Sequence, residues 1–92
     1  MITRVEFTLD KNQISNRRIN IQEIRGLFPD YGVEFTIRTD IGTDTKRLQK
    51  QSEAYDHFHL RPWFDKHPNL APGDKLAIVV DQPMKEYSLE II

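Results

Sequence analysis

The stretch Leu70–Val80, LAPGDKLAIVV, gives the strongest structural signal in the chain. Its first half, LAPGD, is a proline–glycine turn. Its second half contains Leu76–Val80, a continuous apolar run that predicts a strand buried on both faces. We therefore expect a sheet in which this strand is central and the turn leads into it.

Segments on both sides of this run alternate between apolar and polar residues, which predicts half-buried strands. These segments are Val5–Leu9, Ile19–Ile21, Val33–Arg38, Ala54–Leu60 and Tyr87–Ile91. A hairpin turn is expected around Gly42, because glycine readily adopts a positive φ. The segment after it, Thr45–Ser52, is almost wholly polar and is expected to form an edge strand or a projecting arm.

Two short helices interrupt the strands. Ile21–Phe28 has apolar residues at helical spacing and is closed by Pro29, and Arg61–His67 has a proline in its first turn. Trp63 and Phe64 of the second helix are expected to fill the core rather than to stack on bases. About seven short strands with frequent turns favour a small, mainly β barrel.

Length and composition limit the class of protein. The 92 residues are expected to form one domain, residues 1–92. The chain has no cysteine, which excludes disulfides and thiolate chemistry. No stretch approaches the ~18 apolar residues of a membrane span, and the N-terminus does not have the pattern of a signal peptide. We therefore expect a cytoplasmic protein.

Basic residues are concentrated in two short stretches of an otherwise acidic chain. The chain has 13 Lys and Arg against 14 Asp and Glu, for a net charge of −1. Lys11–Arg18 (KNQISNRR) and Lys46–Gln51 (KRLQKQ) each carry three bases and no acid. Because six of the 13 bases lie there, seven remain against 14 acids elsewhere. Local charge decides what a polyanion meets within a Debye length of about 8–10 Å, so these stretches indicate a nucleic-acid surface.

The order of these elements resembles the B3-like DNA-binding pseudobarrel, a superfamily of plant B3 transcription-factor domains and effector domains of some type II restriction enzymes. The residues that carry the resemblance are Asn16–Ile21, Leu27–Pro29, Val33–Arg38 with the Gly42 turn, Leu60–Phe64, and Leu70–Asp74 leading into Leu76–Val80. The aromatic helix followed by L-x-P-G-D and an apolar strand looks especially like the restriction-enzyme branch. The resemblance implies a seven-stranded open barrel whose two loops grip the major groove. By position these loops would be Lys11–Arg18 and about Arg47–Glu53.

The charge pattern and the resemblance select the same residues for DNA binding. They are Lys11, Asn12, Gln13, Asn16, Arg17, Arg18, Arg38, Lys46, Arg47, Gln49, Lys50 and Gln51. Lysines would contact phosphates, while arginines can form a bidentate pair with guanine and Asn or Gln with adenine. Arg38, on the strand before the hairpin, would face the groove between the two loops.

The sequence thus predicts a non-catalytic domain that binds double-stranded DNA, without a cofactor or a metal. It would serve as the recognition domain of a restriction-type enzyme or of a regulator. With six bases in the loops it is expected to be a moderate binder, which a homodimer or an additional domain would strengthen. Neither basic stretch contains an aromatic residue for base stacking, which favours duplex DNA over RNA or single strands.

Three other interpretations remain open at this stage. A protein-interaction module could use Thr45–Ser52 for strand addition and an apolar patch around Tyr55 or Met84. His57 and His59 point to the same side of a strand and, with Asp65 and His67, could form a metal site. The short Asp44-Thr-Lys46 match to a nuclease D-x-K pattern is of a kind that is common by chance.

Overall fold

The structure, a computed structural model, describes residues 3–49 and 56–92. The strands within these ranges are β1 Thr3–Thr8, β2 Arg18–Asn20, β3 Glu34–Thr39, β4 Gly42–Arg47, β5 His57–His59, β6 Lys75–Gln82 and β7 Glu86–Ile91. The helices are α1 Lys11–Asn16, a 3₁₀ helix Gln22–Leu27 and α2 Arg61–Lys66. Each of these helices has six residues, and none in the described ranges is long and apolar enough to cross a membrane.

Five strands form one sheet in the order β1-β6-β7-β3-β4, and β2 pairs with β5 in a second, smaller sheet. Neighbouring strands are antiparallel, except that β3 runs parallel to β7. Strand β6 has a partner on each side, and its Leu76, Ala77 and Ile78 are fully buried, as the apolar run predicts. The predicted mainly β, seven-stranded open barrel is confirmed.

The hairpin β3–β4 brings the second basic stretch to the edge of the large sheet. Phe35 and Ile37 alternate into the core from β3, and Gly42 begins β4 with φ +133°. The pairing of β4 with β3 alone confirms the predicted edge position up to Arg47, while residues 50–52 of the predicted arm lie outside the described residues. Asp44 lies within β4, in register with Ile37 of β3.

The small sheet joins segments that are far apart in sequence. Ile19 of β2 is paired with Phe58 of β5, and both side chains are buried. The fifth predicted strand, Ala54–Leu60, is confirmed from His57 to His59, and its first two residues lie outside the described ranges. This sheet therefore connects the start of the chain to the segment that follows the second basic stretch.

An aromatic cluster holds the two sheets together. The ring of Phe28 stacks on Tyr87 at 4.4 Å between centroids and meets Phe35 edge to face at 5.3 Å. Phe58 of the small sheet lies 5.6 Å from Phe35 and 5.9 Å from Phe28. The Tyr87 hydroxyl donates a 2.5 Å hydrogen bond to the carbonyl of Leu27, which fixes the end of the 3₁₀ helix. Such ring pairs contribute about 0.5–1.5 kcal/mol each beyond their burial.

Helix α2 contributes its aromatic side chains to the core, as expected. Trp63 and Phe64 are buried, and their rings meet edge to face at 5.0 Å. The indole Nε1 of Trp63 donates to Asp40 Oδ1 at 3.0 Å, and His67 Nε2 lies 2.9 Å from Asp40 Oδ2. The C-terminal end of helix α2 therefore lies at the β3–β4 turn, and its N-terminal end follows β5 in the chain.

Candidate nucleic-acid interface

The first basic stretch forms a short helix rather than the predicted loop. Asp10 accepts a hydrogen bond from the backbone N–H of Gln13 at 2.7 Å and so caps α1. Arg17 ends the helix in the left-handed region, with φ 52° and ψ 49°. The apolar side chain of Ile14 packs against the core and supplies the tertiary contact that a six-residue helix needs.

Gln13 must be removed from the predicted DNA-contacting residues, because its side chain is only 4% exposed. Its Oε1 accepts a hydrogen bond from the backbone N–H of Asn20 at 2.9 Å, and its Nε2 lies 3.5 Å from the carbonyl of Thr8. The amide therefore links α1 to β1 and β2. Its role is to hold the helix in place, and it is unavailable to a base edge.

The other predicted residues of this stretch remain on or near the surface. Lys11, Asn12, Asn16 and Arg17 are exposed, and Arg18 is half-buried. The side chain of Asn16 donates to the carbonyl of Asn12 at 2.9 Å, while the Arg18 guanidinium donates to Asn12 Oδ1 at 2.6 Å. Hydrogen bonds among these polar side chains give the surface a defined arrangement.

The two faces of β4 separate the bases of the second stretch. Lys46 is paired with the core-facing Phe35 and is half-buried, whereas Arg47 is paired with the outward-facing Glu34. Gln49 follows on the surface, and Lys50 and Gln51 lie outside the described residues. Lys46 and Arg47 therefore reach opposite sides of the same edge.

Strand β5 lies between the two basic stretches. Arg18 of β2 is paired with His59 and Asn20 with His57, so these four side chains share one face of the small sheet. Lys46, Arg47, Gln49, Phe58 and the two histidines line a surface cavity of about 270 Å³. Residues from both stretches thus meet at β5, although about 30 residues separate the stretches in the chain.

The electrostatics at His59 reflect this convergence of basic residues. Burial, followed by the positive charges of His57, Arg61, Arg18 and Lys46, lowers the pKa of His59 from 6.5. One of these cations comes from each basic stretch, and Arg61 opens α2. Sequence reasoning missed Arg61 and treated the histidines only as metal ligands. The pairing of β2 with β5, which brings them together, is not local in sequence.

Carboxylates partly neutralise the basic surface. Arg17 Nε lies 3.0 Å from Asp65 Oδ1, and Arg47 forms an ion pair with Glu34. All four side chains in these pairs are more than half exposed. Exposed ion pairs stabilise a protein by only about 0–1 kcal/mol, so a phosphate can replace the carboxylate at little cost.

The structure does not bring Arg38 together with the other predicted residues. Its guanidinium lies 3.4 Å from Ser88 Oγ and 3.6 Å from Asp81 Oδ2 on the outer face of the large sheet. It is paired with Thr43, four residues from the Glu34–Arg47 pair, a separation of about 13 Å along a strand. Arg38 therefore lies apart from the residues that gather at β5, because neighbouring strands direct it toward Asp81.

A second cavity in the described residues is acidic rather than basic. This cavity of about 530 Å³ lies beside β1 and the 3₁₀ helix, and its charged lining residues are Glu6, Asp10 and Glu23. These carboxylates would repel a nucleic acid.

Residues 3–49 and 56–92 contain no group of three or more His, Asp or Glu arranged to hold a metal. Met84 is exposed in the β6–β7 turn, while Tyr55, its predicted partner in an apolar patch, lies outside the described ranges.

Two solved structures from Arabidopsis share this fold. A hypothetical Arabidopsis thaliana protein aligns with a TM-score of 0.65 and 16% identity, over 100% of this chain and 91% of the other. The Arabidopsis FUS3–DNA complex aligns with a TM-score of 0.60 and 13% identity, over 95% of this chain and 93% of the other. No protein-family model and no curated protein sequence matches the chain. The fold is therefore that of the B3-like pseudobarrel, recognised through its structure rather than through sequence identity.

Proposed function

We propose that this chain binds double-stranded DNA, without catalysis, through the basic surface formed by α1, β2, β5 and the end of β4. One observation carries the proposal, namely that bases from two separated stretches meet at His59: Arg18 pairs with it across the small sheet, and Lys46 lines the same cavity. The same fold occurs in the FUS3–DNA complex, which supports DNA as the partner. We define the basic surface by its members: Lys11, Asn12, Asn16, Arg17, Arg18, Lys46, Arg47, Gln49, His57, His59 and Arg61.

These side chains have complementary roles toward a duplex. Lys11 and Lys46 would neutralise phosphates and fix the orientation of the domain. Arg17, Arg18 and Arg47 have the planar fork that pairs with guanine O6 and N7, at about 1–3 kcal/mol of discrimination per good pair. Asn16 and Gln49 would read adenine through N6 and N7. Lys50 and Gln51 remain predicted members of this surface.

The rigidity of the supporting elements suits major-groove reading. Arg18 and Lys46 lie on paired strands, and α1 is held by the buried amide of Gln13. Side chains on such elements lose less conformational entropy on binding than side chains on a free tail. A B3-like domain of this size would act as the recognition part of a restriction-type enzyme or regulator, and a second copy or a further domain would raise its affinity.

Fluorescence anisotropy with a pool of random-sequence duplexes tests this function. We expect micromolar binding at low salt, with log K falling linearly against log salt because phosphate contacts release counterions. Single-stranded DNA of the same composition should bind more weakly, because the described surface carries no exposed aromatic side chain in either basic stretch. Absence of duplex binding even at low salt would refute the proposal and direct the search to a protein partner.

Replacing Glu34 with glutamine is expected to strengthen duplex binding about twofold to fivefold. The change frees Arg47 from its ion pair and removes a negative charge beside the basic surface. Glutamine keeps the size and polarity of the side chain, so the β3–β4 hairpin should be unaffected. Anisotropy titration of both proteins against one duplex measures the difference.

Glu90→Gln serves as the matched control. Glu90 forms an exposed ion pair with Arg4, at 3.6 Å, on strands outside the basic surface. The control changes the net charge equally, and we expect it to alter affinity by less than about 1.5-fold, because exposed charges far from a ligand are screened. Equal effects of the two variants would mean that Arg47 does not contact DNA.

A further inference from the structure

We propose that His59, in the histidine pair of β5, takes up a proton when duplex DNA binds beside it, so that DNA affinity rises as the pH falls. This inference rests on the proposed function. It adds a pH dependence that the lysines and arginines of the same surface cannot supply, because these residues keep their charge from about pH 5 to pH 8.

The two imidazoles form a compact pair at the centre of the basic surface. Their ring centroids are 5.1 Å apart and their planes are nearly perpendicular, at 87°. Both residues are half-buried and share a face with Arg18 and Asn20, which pair with them across the small sheet. A DNA backbone that contacts both basic stretches would pass over this face.

Among the described residues, the charged groups around the pair are mostly positive. The basic neighbours are Arg18 from β2, Lys46 and Arg47 from β4, and Arg61 from α2. Among the described residues, the acids joined to this surface are Asp56, which precedes His57, Asp65, which pairs with Arg17, and Glu34, which pairs with Arg47. Each acid is already engaged: Asp56 with the Tyr31 hydroxyl at 2.7 Å and Arg25 at 3.5 Å, Asp65 with Arg17, and Glu34 with Arg47.

This environment disfavours protonation until an anion arrives. In the protein alone, burial and then the surrounding positive charges lower the pKa of His59. A phosphate placed beside the imidazoles adds an opposite charge, which raises the pKa of a neighbouring histidine. The DNA-bound form therefore binds more protons than the free form over the interval between the two pKa values.

The sign of the pH dependence follows by linkage. Because the pKa is higher in the complex than in the free protein, binding strengthens as the pH falls through the pKa of the complex. The gain in affinity is complete below the pKa that His59 has in the free protein, which is lower than 6.5. Each histidine whose pKa rises by about one unit on binding contributes up to roughly tenfold in affinity.

Duplex binding measured by anisotropy between about pH 8 and pH 5.5, at constant ionic strength, tests the inference over the range where histidine titrates. The variants are His57→Gln/His59→Gln, which removes both imidazoles, and His67→Gln, which removes a histidine bound to Asp40 at the far end of α2. We expect the unmodified protein and His67→Gln to bind roughly tenfold more tightly at the lower pH, and the double variant to change by less than about twofold.

The salt dependence at each pH provides a second readout. A histidine that becomes a phosphate contact on protonation should steepen the slope of log K against log salt by about 0.9. This steepening should appear in the unmodified protein at about pH 5.5 and be absent from the double variant. A purely structural role for the histidines would leave the difference between the two slopes near zero.

Calorimetry on the unmodified protein keeps the test decisive if the double variant does not fold. Titration with duplex at about pH 6, in two buffers of different ionisation enthalpy, counts the protons taken up per binding event. Uptake of about one proton or more supports the inference. Zero uptake, or equal pH dependence in the double variant, overturns it while DNA binding stands. Absence of binding at every pH overturns both proposals.

Discussion

Replacing Arg17, Arg18 and Arg47 together with alanine is expected to weaken duplex binding about 100-fold or more. Each arginine contact with phosphate or base contributes about 1–3 kcal/mol, and about 1.4 kcal/mol corresponds to tenfold in affinity. The three guanidiniums come from the C-cap of α1, from β2 and from β4, so the change removes contacts from both basic stretches. If all three bind phosphate, the salt slope should fall by roughly 2.7.

The fold should survive these substitutions. Arg17 and Arg47 are exposed, and their ion pairs with Asp65 and Glu34 are surface pairs of small energetic value. Arg18 loses its hydrogen bond to Asn12 and leaves no buried carboxylate behind. Far-UV circular dichroism and a thermal midpoint close to that of the unmodified protein would establish that the variant is folded.

A second triple variant, Arg4→Ala/Arg38→Ala/Lys75→Ala, separates local contacts from net charge. It removes the same number of positive charges from β1, β3 and β6, away from the basic surface. We expect its affinity to fall by less than about threefold, because distant charges act only through the screened field of the protein. A similar loss in both triple variants, or undiminished binding by the first, would show that the assigned surface is wrong.

Phe28→Ala is expected to lower the free energy of unfolding by about 3–5 kcal/mol. Phe28 is 3% exposed and contacts the rings of Phe35, Phe58 and Tyr87, which come from three strands in two sheets. Alanine would leave a cavity at the junction of the sheets. Because small domains are stable by only about 5–15 kcal/mol, the variant should be partly unfolded at physiological temperature.

Urea unfolding followed by the fluorescence of Trp63 measures this effect. Trp63 is the only tryptophan of the chain and is buried, so its emission reports on the core. Val33→Ala, at a residue 47% exposed before β3, is the control, for which we expect a change within about 0.5 kcal/mol. A loss below about 1 kcal/mol for Phe28→Ala would contradict the central position of this ring.

The hydrophobic pattern predicted the strands because β3 has one face against the core and β6 is buried on both faces. The alternation of Phe35 and Ile37 and the apolar run Leu76–Val80 both correspond to observed strands with buried side chains at the expected positions. Helix α1 was missed because its residues are polar and only Ile14 and Gln13 face inward. The Asp10-Lys-Asn-Gln13 pattern, an N-cap residue followed three positions later by Gln, was the available signal.

The candidate site could be predicted from the sequence only in part, because its charges are local in the chain but their partners are not. Local charge identified Lys11–Arg18 and Lys46–Gln51, because a concentration of like charges in a short stretch is visible in the sequence without knowledge of the fold. The partners of these bases are not local: Asp65 lies 48 positions after Arg17, and His59 pairs with Arg18 only through the small sheet. Burial of Gln13 and the turn of Arg38 toward Asp81 likewise depend on neighbouring strands that alternation does not specify.

The pairing of β2 with β5 also has a consequence for the order of folding. Hairpins β3–β4 and β6–β7 join neighbouring segments, and short loops close quickly. Arg18 must instead meet His59, and Thr3 must meet Val80, across long stretches of chain. Contacts of high sequence separation form slowly, so the small sheet is expected to assemble late. During synthesis the chain would therefore have no complete basic surface until β5 has emerged, and an incomplete chain would not compete for DNA.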